Sequence, residues 1–145
     1  GPDLADLAGD RRAMLDHRGT LARDEVAELF AESDVFLDMS FWQAFGRTGL
    51  EAMAAGCVPV LPVGSGSEEY AVHGVNAMLH NTSDWHDAVE HITFLVSQRD
   101  DALERMRDLA LATSTNYDFG SASLRMLALF CATVSRRTYL PLPKP

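Results

Sequence analysis

Basic side chains are scarce in this chain: 12 Lys and Arg stand against 21 Asp and Glu, a formal charge of −9 over 145 residues. A nucleic-acid surface needs clustered cations against the phosphates, so this balance argues against that class of partner. It leaves room for a small diphosphate ligand, which a few backbone N–H groups and one or two basic side chains can hold. The plainer role of the excess acid is solubility. Long apolar runs are also missing. Nothing approaches the roughly 18 residues that a membrane-spanning helix needs, so no transmembrane segment is expected. Cysteine is rare, with Cys57 and Cys131 far apart in apolar contexts. Two buried reduced thiols are expected in preference to a disulfide, the usage of a cytoplasmic protein. The histidines, at 17, 73, 80, 86 and 91, lack a metal-ligand spacing such as i, i+4. His86 and His91 read as helix-surface residues.

What is present is the pattern of one α/β domain covering residues 1–145, large enough for a real core. Residues 1–13 are small, charged and weakly patterned, a loose lead-in. Met14-Leu15 has the content of a short strand. Residues 24–32 read as a helix with Val26, Leu29 and Phe30 on one face and acids in its first turn. An apolar run from Asp34 to Ser40 and a second at residues 57–61 have the length and content of buried parallel strands. A helix is expected between them over 48–55, stopped by Gly56 as a C′ glycine. Pro59 is tolerated near the start of its strand. A short helix over 67–72 and a last strand over 77–80 follow. The order β-α-β-turn-α-β implies a parallel sheet with right-handed crossovers.

The last third reads as helical. Trp85, Ala88, Val89, Ile92, Leu95 and Val96 form an apolar stripe, capped by Thr82 or Ser83 with Asp84 and Asp87 behind. Residues 101–112 continue with Leu103, Met106, Leu109 and Ala110. Residues 122–134 add Leu124, Leu127, Ala128, Cys131 and Val134. These stripes are expected to be core. The Pro-rich end, residues 138–145, is expected to be extended.

The segment Gln43-Ala-Phe-Gly-Arg-Thr-Gly-Leu-Glu51-Ala-Met-Ala-Ala-Gly56 lies between the first two strands. A Gly-containing loop that opens a helix suits an anion, because the first N–H groups of a helix are unpaired and its dipole favours negative charge. Glu51 adds a carboxylate on the helix itself. The combination points to a nucleotide or another phosphorylated ligand.

The same segment resembles the donor-sugar signature of retaining glycosyltransferases with the GT-B fold, the large group 1 (family 4-like) set. Phe45-Gly46, Glu51-Ala52-Met53-Ala54, Gly56 and Pro59-Val60 fall in the register of that signature. So do His17-Arg18-Gly19, the stretch from Ala31 to Val35, Gly64-Ser65-Gly66-Ser67-Glu68 and His73-Gly74-Val75-Asn76-Ala77. The similarity runs from about residue 14 to 120. It implies a Rossmann-like parallel sheet with flanking helices, part of a GT-B C-terminal domain. The resemblance further implies that a strand, a helix and a strand normally precede the region of His17. The chain is therefore expected to be a piece of that domain, with the N-terminal GT-B domain as its missing partner. Gly1-Pro2 has the form of a residue pair left by protease cleavage.

In the family the acid matching Glu51 accepts hydrogen bonds from the ribose hydroxyls, since a carboxylate can take two vicinal hydroxyls. The alternative is an ordinary helix glutamate. Gln43 stands where the family has a glutamate near the reacting centre of the donor sugar. An amide offers an acceptor and two donors but no charge. Three outcomes stay open for Gln43: changed donor preference, slow turnover, or lost catalysis. Gly46, Thr48 and Gly49 are candidates to set N–H groups at the diphosphate, with Phe45 in register beside them. Arg47 would add a guanidinium fork to a phosphate oxygen, or else simply be solvated. Ser40 lies at the carboxyl end of its strand, and Gly64 and Ser65 lie in a second loop at the same edge, where open α/β sheets bind ligands. Phe41 and Trp42 either shape the pocket or pack, and His17 is a further candidate near the base or sugar.

The implied activity is transfer of a sugar from a nucleotide diphosphate sugar, a substrate rather than a cofactor, to a glycan or lipid-linked acceptor. No metal is involved. The setting would be cytoplasmic, including the inner face of a membrane. The basic pair that stabilises the leaving diphosphate lies outside this chain, so the chain alone is expected to be inactive. A catalytically inactive GT-B-like scaffold or interaction domain is the alternative, and fold alone does not choose between them.

Overall fold

The computed structural model describes residues 15–97 and 101–137. The expected lead-in over 1–13, Met14 and the tail over 138–145 lie outside the described residues. A three-stranded parallel sheet forms the centre, in the order β1-β2-β3. Its strands are β1 (Val35–Leu37), β2 (Val58–Pro62) and β3 (Met78–His80). Helix α1 (Arg23–Ala31) leads into β1, and α2 (Arg47–Ala54) connects β1 to β2. After β3 come α3 (Trp85–Ser97), α4 (Ala102–Ser114) and α5 (Phe119–Arg137). The α/β class, the parallel sheet and the helical last third are as the pattern implied.

β2 is buried along its whole length, which is why it reads as a continuous apolar run rather than an alternation. Its side chains still divide by face. Val58 and Val60 pack with Met78, Leu95 of α3, and Leu103 and Met106 of α4. Leu61 packs with Met53 of α2, Tyr70, Ala71, Ala77 and Ala110. Pro59 sits in this central strand at no cost to the ladder. The N–H of Val58 bonds Asp34 toward β1, so residue 59 faces β3, where pairing begins only at Val60.

Local chemistry sets the helix ends. Glu25 reaches back to accept the Ala22 N–H at 2.6 Å, closing the start of α1. At the end of α2 the Cys57 N–H bonds the Ala52 carbonyl at 2.9 Å and the Gly56 N–H bonds Met53 at 3.1 Å. With Gly56 at φ +93°, that is a Schellman ending, as the glycine suggested.

Several expectations need correction. Leu15 is not in a strand. The first strand stops at Leu37 instead of running to Ser40, because the Asp38 carboxylate captures the Ser40 N–H at 2.9 Å and turns the chain. The helix expected over 67–72 is a single 3₁₀ turn, Gly66–Glu69, started by the Ser65 hydroxyl. The cap of α3 is Asp84, which accepts the His86 N–H at 3.0 Å, rather than Thr82 or Ser83. Hydrogen bonds from His86 hold the Asp84 carboxyl below its usual range. His91 is only partly exposed rather than fully on the helix surface: its Nε2 lies 3.0 Å from the Leu79 carbonyl and 3.3 Å from Asp87.

The largest correction concerns the last helix. Leu124, Leu127, Ala128 and Cys131 of α5 are exposed and stand outside the core clusters, so these four positions of the expected stripe are not core, while the Val134 side chain lies outside the described ones. In α3 only Ala88 and Leu95 are buried, while Trp85, Val89 and Val96 are exposed. The thiols divide accordingly: Cys57 is buried and Cys131 is exposed, and both are free. The Cys57 Sγ donates to the carbonyls of Phe30 at 3.0 Å and Ser33 at 3.2 Å. Burial pushes this thiol up from its ordinary value, which keeps it protonated and unreactive. A thiol reagent under native conditions should therefore label Cys131 at least about tenfold faster than Cys57, with Cys57 reacting only on unfolding. Peptide mapping after timed alkylation reads both rates.

Candidate functional site

The carboxyl ends of β1 and β2 release two loops, residues 38–46 and 63–65, on one edge of the sheet, with the 3₁₀ turn following the second. This is the edge where open α/β sheets take ligands. The loops are locked together by close backbone contact. The Gly66 N–H bonds the Gln43 carbonyl at 2.8 Å. A Cβ on Gly66 would lie 1.8 Å from the Ala44 carbonyl oxygen, so only glycine permits this approach. Tyr70 adds the second tie, its phenol donating to the Gly46 carbonyl at 2.5 Å.

Gly46 is held twice over. It caps α2 in the left-handed region, φ +74°, and a Cβ there would meet the Tyr70 hydroxyl at 3.0 Å and Ser67 Cβ at 3.1 Å. The α2 N-terminus consequently starts directly behind the docked loops. The N–H groups of Gly49 and Leu50 already bond Gly46, at 3.1 and 3.4 Å. The donors of the first turn, at Arg47 and Thr48, have no intrahelical acceptor and lie at the positive end of the helix dipole.

The candidate residues separate into different roles. Gly49 was a candidate phosphate contact, but it is buried, and a Cβ would stand 2.8 Å from both Leu61 Cδ2 and the Tyr70 hydroxyl. Its small size serves the packing of α2 on β2. Phe45 likewise anchors the loop, packing edge-on to Tyr70 at 5.5 Å and against Tyr117 at 6.0 Å between ring centres. Ser65 is buried and spends its hydroxyl on the Pro62 carbonyl at 3.1 Å and on Ser67 at 2.7 Å. The Gly64 N–H bonds the Glu68 carboxylate at 2.5 Å. Phe41 and Trp42 are 81% and 64% exposed, so packing does not account for them. His17 is exposed in the segment before α1.

The polar candidates that remain are Ser40, Gln43, Arg47, Thr48 and Glu51. Arg47 Nη2 and Glu51 Oε1 form an i, i+4 pair at 3.2 Å, and both side chains are substantially exposed. Such a pair is worth roughly 0.3–0.5 kcal/mol, weak enough for a ligand to open it. Glu51 also lines a groove of about 420 Å³ between α1 and α2, beside Arg23, Val26, Phe30 and Ala54. Gln43 is half-buried, and its Nε2 donates to Ser40 Oγ at 2.8 Å. Gly66, Tyr70 and His80 were not among the candidates. Gly66 carried a faint signal as part of a Gly/Ser loop; the other two became visible only with the packing. His80 is fully buried at the end of β3, with Nε2 at 2.8 Å from the Asp38 carbonyl.

The family model for glycosyl transferases group 1 matches residues 10–113. The chain belongs to that family. Over 92 residues it is 34% identical to a D-inositol 3-phosphate glycosyltransferase of Paenarthrobacter aurescens, covering 61% of this chain and 22% of that protein. The structure of HepE from Anabaena, solved in complex with UDP and glucose, superposes with TM-score 0.69 at 22% identity, covering 76% of this chain and 30% of that one. The sucrose-phosphate synthase of Thermosynechococcus elongatus gives TM-score 0.73 at 15% identity, covering 81% and 30%. These two likenesses show the Rossmann-like GT-B fold. The chain thus spans less than a third of each of these relatives.

The docking of the loops is open to direct test. Gly66→Ala must displace backbone, so it should cost about 3 kcal/mol, the upper part of the overpacking range, as measured by urea unfolding. Tyr70 carries a pH signature. Burial pushes its phenol above the ordinary value of 10.0. The unfolded chain therefore ionises first, and the stability tied to Tyr70 is present at neutral pH and lost as pH rises beyond that value. Tyr70→Phe should lose about 1 kcal/mol at neutral pH, the worth of one hydrogen bond.

Proposed function

We propose that this chain is the donor-binding domain of a glycosyltransferase that moves a sugar from a nucleotide diphosphate sugar to a glycan or lipid-linked acceptor. The observation that carries the reading is the N-terminus of α2. There Gly46 and the docked loops open the helix at the sheet edge, and Glu51 stands in its second turn. In this reading the N–H groups of Arg47 and Thr48 hold the diphosphate and the Arg47 guanidinium adds a charged donor. The Glu51 carboxylate turns from Arg47 to the ribose hydroxyls, and Gln43 meets the sugar. The bound UDP of the related HepE structure supports a uridine nucleotide as the first ligand to try.

The chemistry proposed is retention of configuration without a metal. The leaving diphosphate would be stabilised by these N–H donors and by basic residues of the rest of the enzyme, in a cytoplasmic setting. Residues 1–145 would form one donor domain, with the acceptor held by an N-terminal partner domain. A second reading, a non-catalytic GT-B-like scaffold, is favoured by one observation: position 43 is an amide, not a carboxylate.

Calorimetric titration of the chain with UDP, GDP and ADP and their glucose or mannose conjugates separates the two readings. Saturable binding is expected, weakened about 10- to 100-fold in Glu51→Ala, the loss of charge-assisted hydrogen bonds. No binding of any nucleotide by the folded chain would favour the scaffold.

A further inference from the structure

Three polar side chains of the loop after β1 form a directed chain. The Gln43 Nε2 donates to Ser40 Oγ at 2.8 Å, and the Ser40 hydroxyl donates to Asp38 Oδ1, which also accepts the Ser40 N–H at 2.9 Å. The direction follows from chemistry alone. An ionised carboxylate only accepts, so the one hydroxyl proton of Ser40 goes to Asp38. Ser40 Oγ can then only accept from Gln43, and the amide nitrogen is the only donor there. The amide is thereby oriented with Oε1 turned away from Ser40. The base of the chain is fixed too, since the buried ring of His80 meets the Asp38 carbonyl at 2.8 Å.

We propose that Asp38, acting through Ser40, is the positioning residue of the donor-sugar site: it holds the Gln43 amide so that Oε1 faces a hydroxyl of the sugar, and it supplies the negative charge that position 43 lacks. This inference rests on the donor-binding reading given above. Hydrogen bonds in series polarise one another, so the Asp38 charge makes Ser40 Oγ a better acceptor and Gln43 Oε1 a more basic one. The same geometry makes a carboxylate at 43 incompatible with Asp38. Two carboxylates would then compete for one hydroxyl proton, and like charges so close destabilise each other. Asp38 and Gln43 are a compensating pair, in which one position carries the charge and the other must be neutral.

The test is a double-mutant cycle on the full chain: unaltered protein, Gln43→Glu, Asp38→Asn, and the two together. UDP and UDP-glucose are titrated by calorimetry, and the ratio of their affinities isolates the sugar subsite from general folding effects. The ratio should fall about tenfold in Gln43→Glu and several-fold in Asp38→Asn, and return to within about threefold of the unaltered protein in the double variant. Asp38→Ala, which frees the Ser40 proton and lets the amide turn over, should lower the ratio further than Asp38→Asn. Additive effects, or equal changes in UDP and UDP-glucose affinity, would overturn the proposal.

Thermal unfolding of the same four proteins decides the pairing without any ligand. Gln43→Glu should lower the midpoint by about 3 °C when Asp38 is present and have little effect beside Asn at 38. Equal shifts in both backgrounds would refute the pairing. Absent UDP binding combined with coupled midpoints would instead overturn the donor-binding reading alone.

Discussion

The close approach of Gly66 to the backbone of Ala44 and Phe45 is the constraint on which the carboxyl edge of the sheet depends. Two loops leaving adjacent parallel strands have no reason to share a surface unless something holds them. Here a backbone hydrogen bond to Gln43, a position that admits no Cβ, and the Tyr70 phenol on the Gly46 carbonyl do so. The aromatic trio of Phe45, Tyr70 and Tyr117 extends that lock into the core beside α4. Loop placement is therefore a consequence of core packing, which gives a binding edge little freedom to rearrange. Rigid donors of this kind stabilise an anion without reorganising when it arrives.

Against that fixed frame, the adjustable part of the site is electrostatic. Arg47 and Glu51 neutralise each other across one turn of α2, while Asp38, Ser40 and Gln43 satisfy one another across a turn of loop. Both arrangements keep polar groups paired in the free chain. The first is exposed and weak, so its two partners can be separated at little cost. The second is half-buried and directional, so the orientation of the amide is already set in the free chain. The fold is that of the family to which the chain belongs; the electrostatics rest on Asp38, Ser40, Gln43, Arg47 and Glu51.

Much of the fold was legible in the residues. The unbroken apolar content of β2 marked a strand buried on both faces, and Gly56 marked the end of α2. The loop that opens α2 at Gly46 was legible too. What was not legible came from tertiary contact. Phe45 and Gly49 sit in the signature register, yet their side-chain environment is core, and nothing local distinguishes a glycine needed for a ligand from one needed for Leu61. The stripe of α5 has the period of a core helix, but period records which residues share a face and not what covers it. Asp38 read as part of a strand because its neighbours are apolar. Its carboxylate captures the Ser40 N–H and ends the strand there.

Amide NMR of the full chain during addition of UDP addresses the central claim most directly, because it reports which N–H groups meet the phosphates. The expected result is saturable shifts centred on Gly46, Arg47 and Thr48 and extending to Glu51, with the amides of β2 and α3 unmoved. Saturable binding with shifts confined to other elements, or no shift at millimolar UDP, would contradict it.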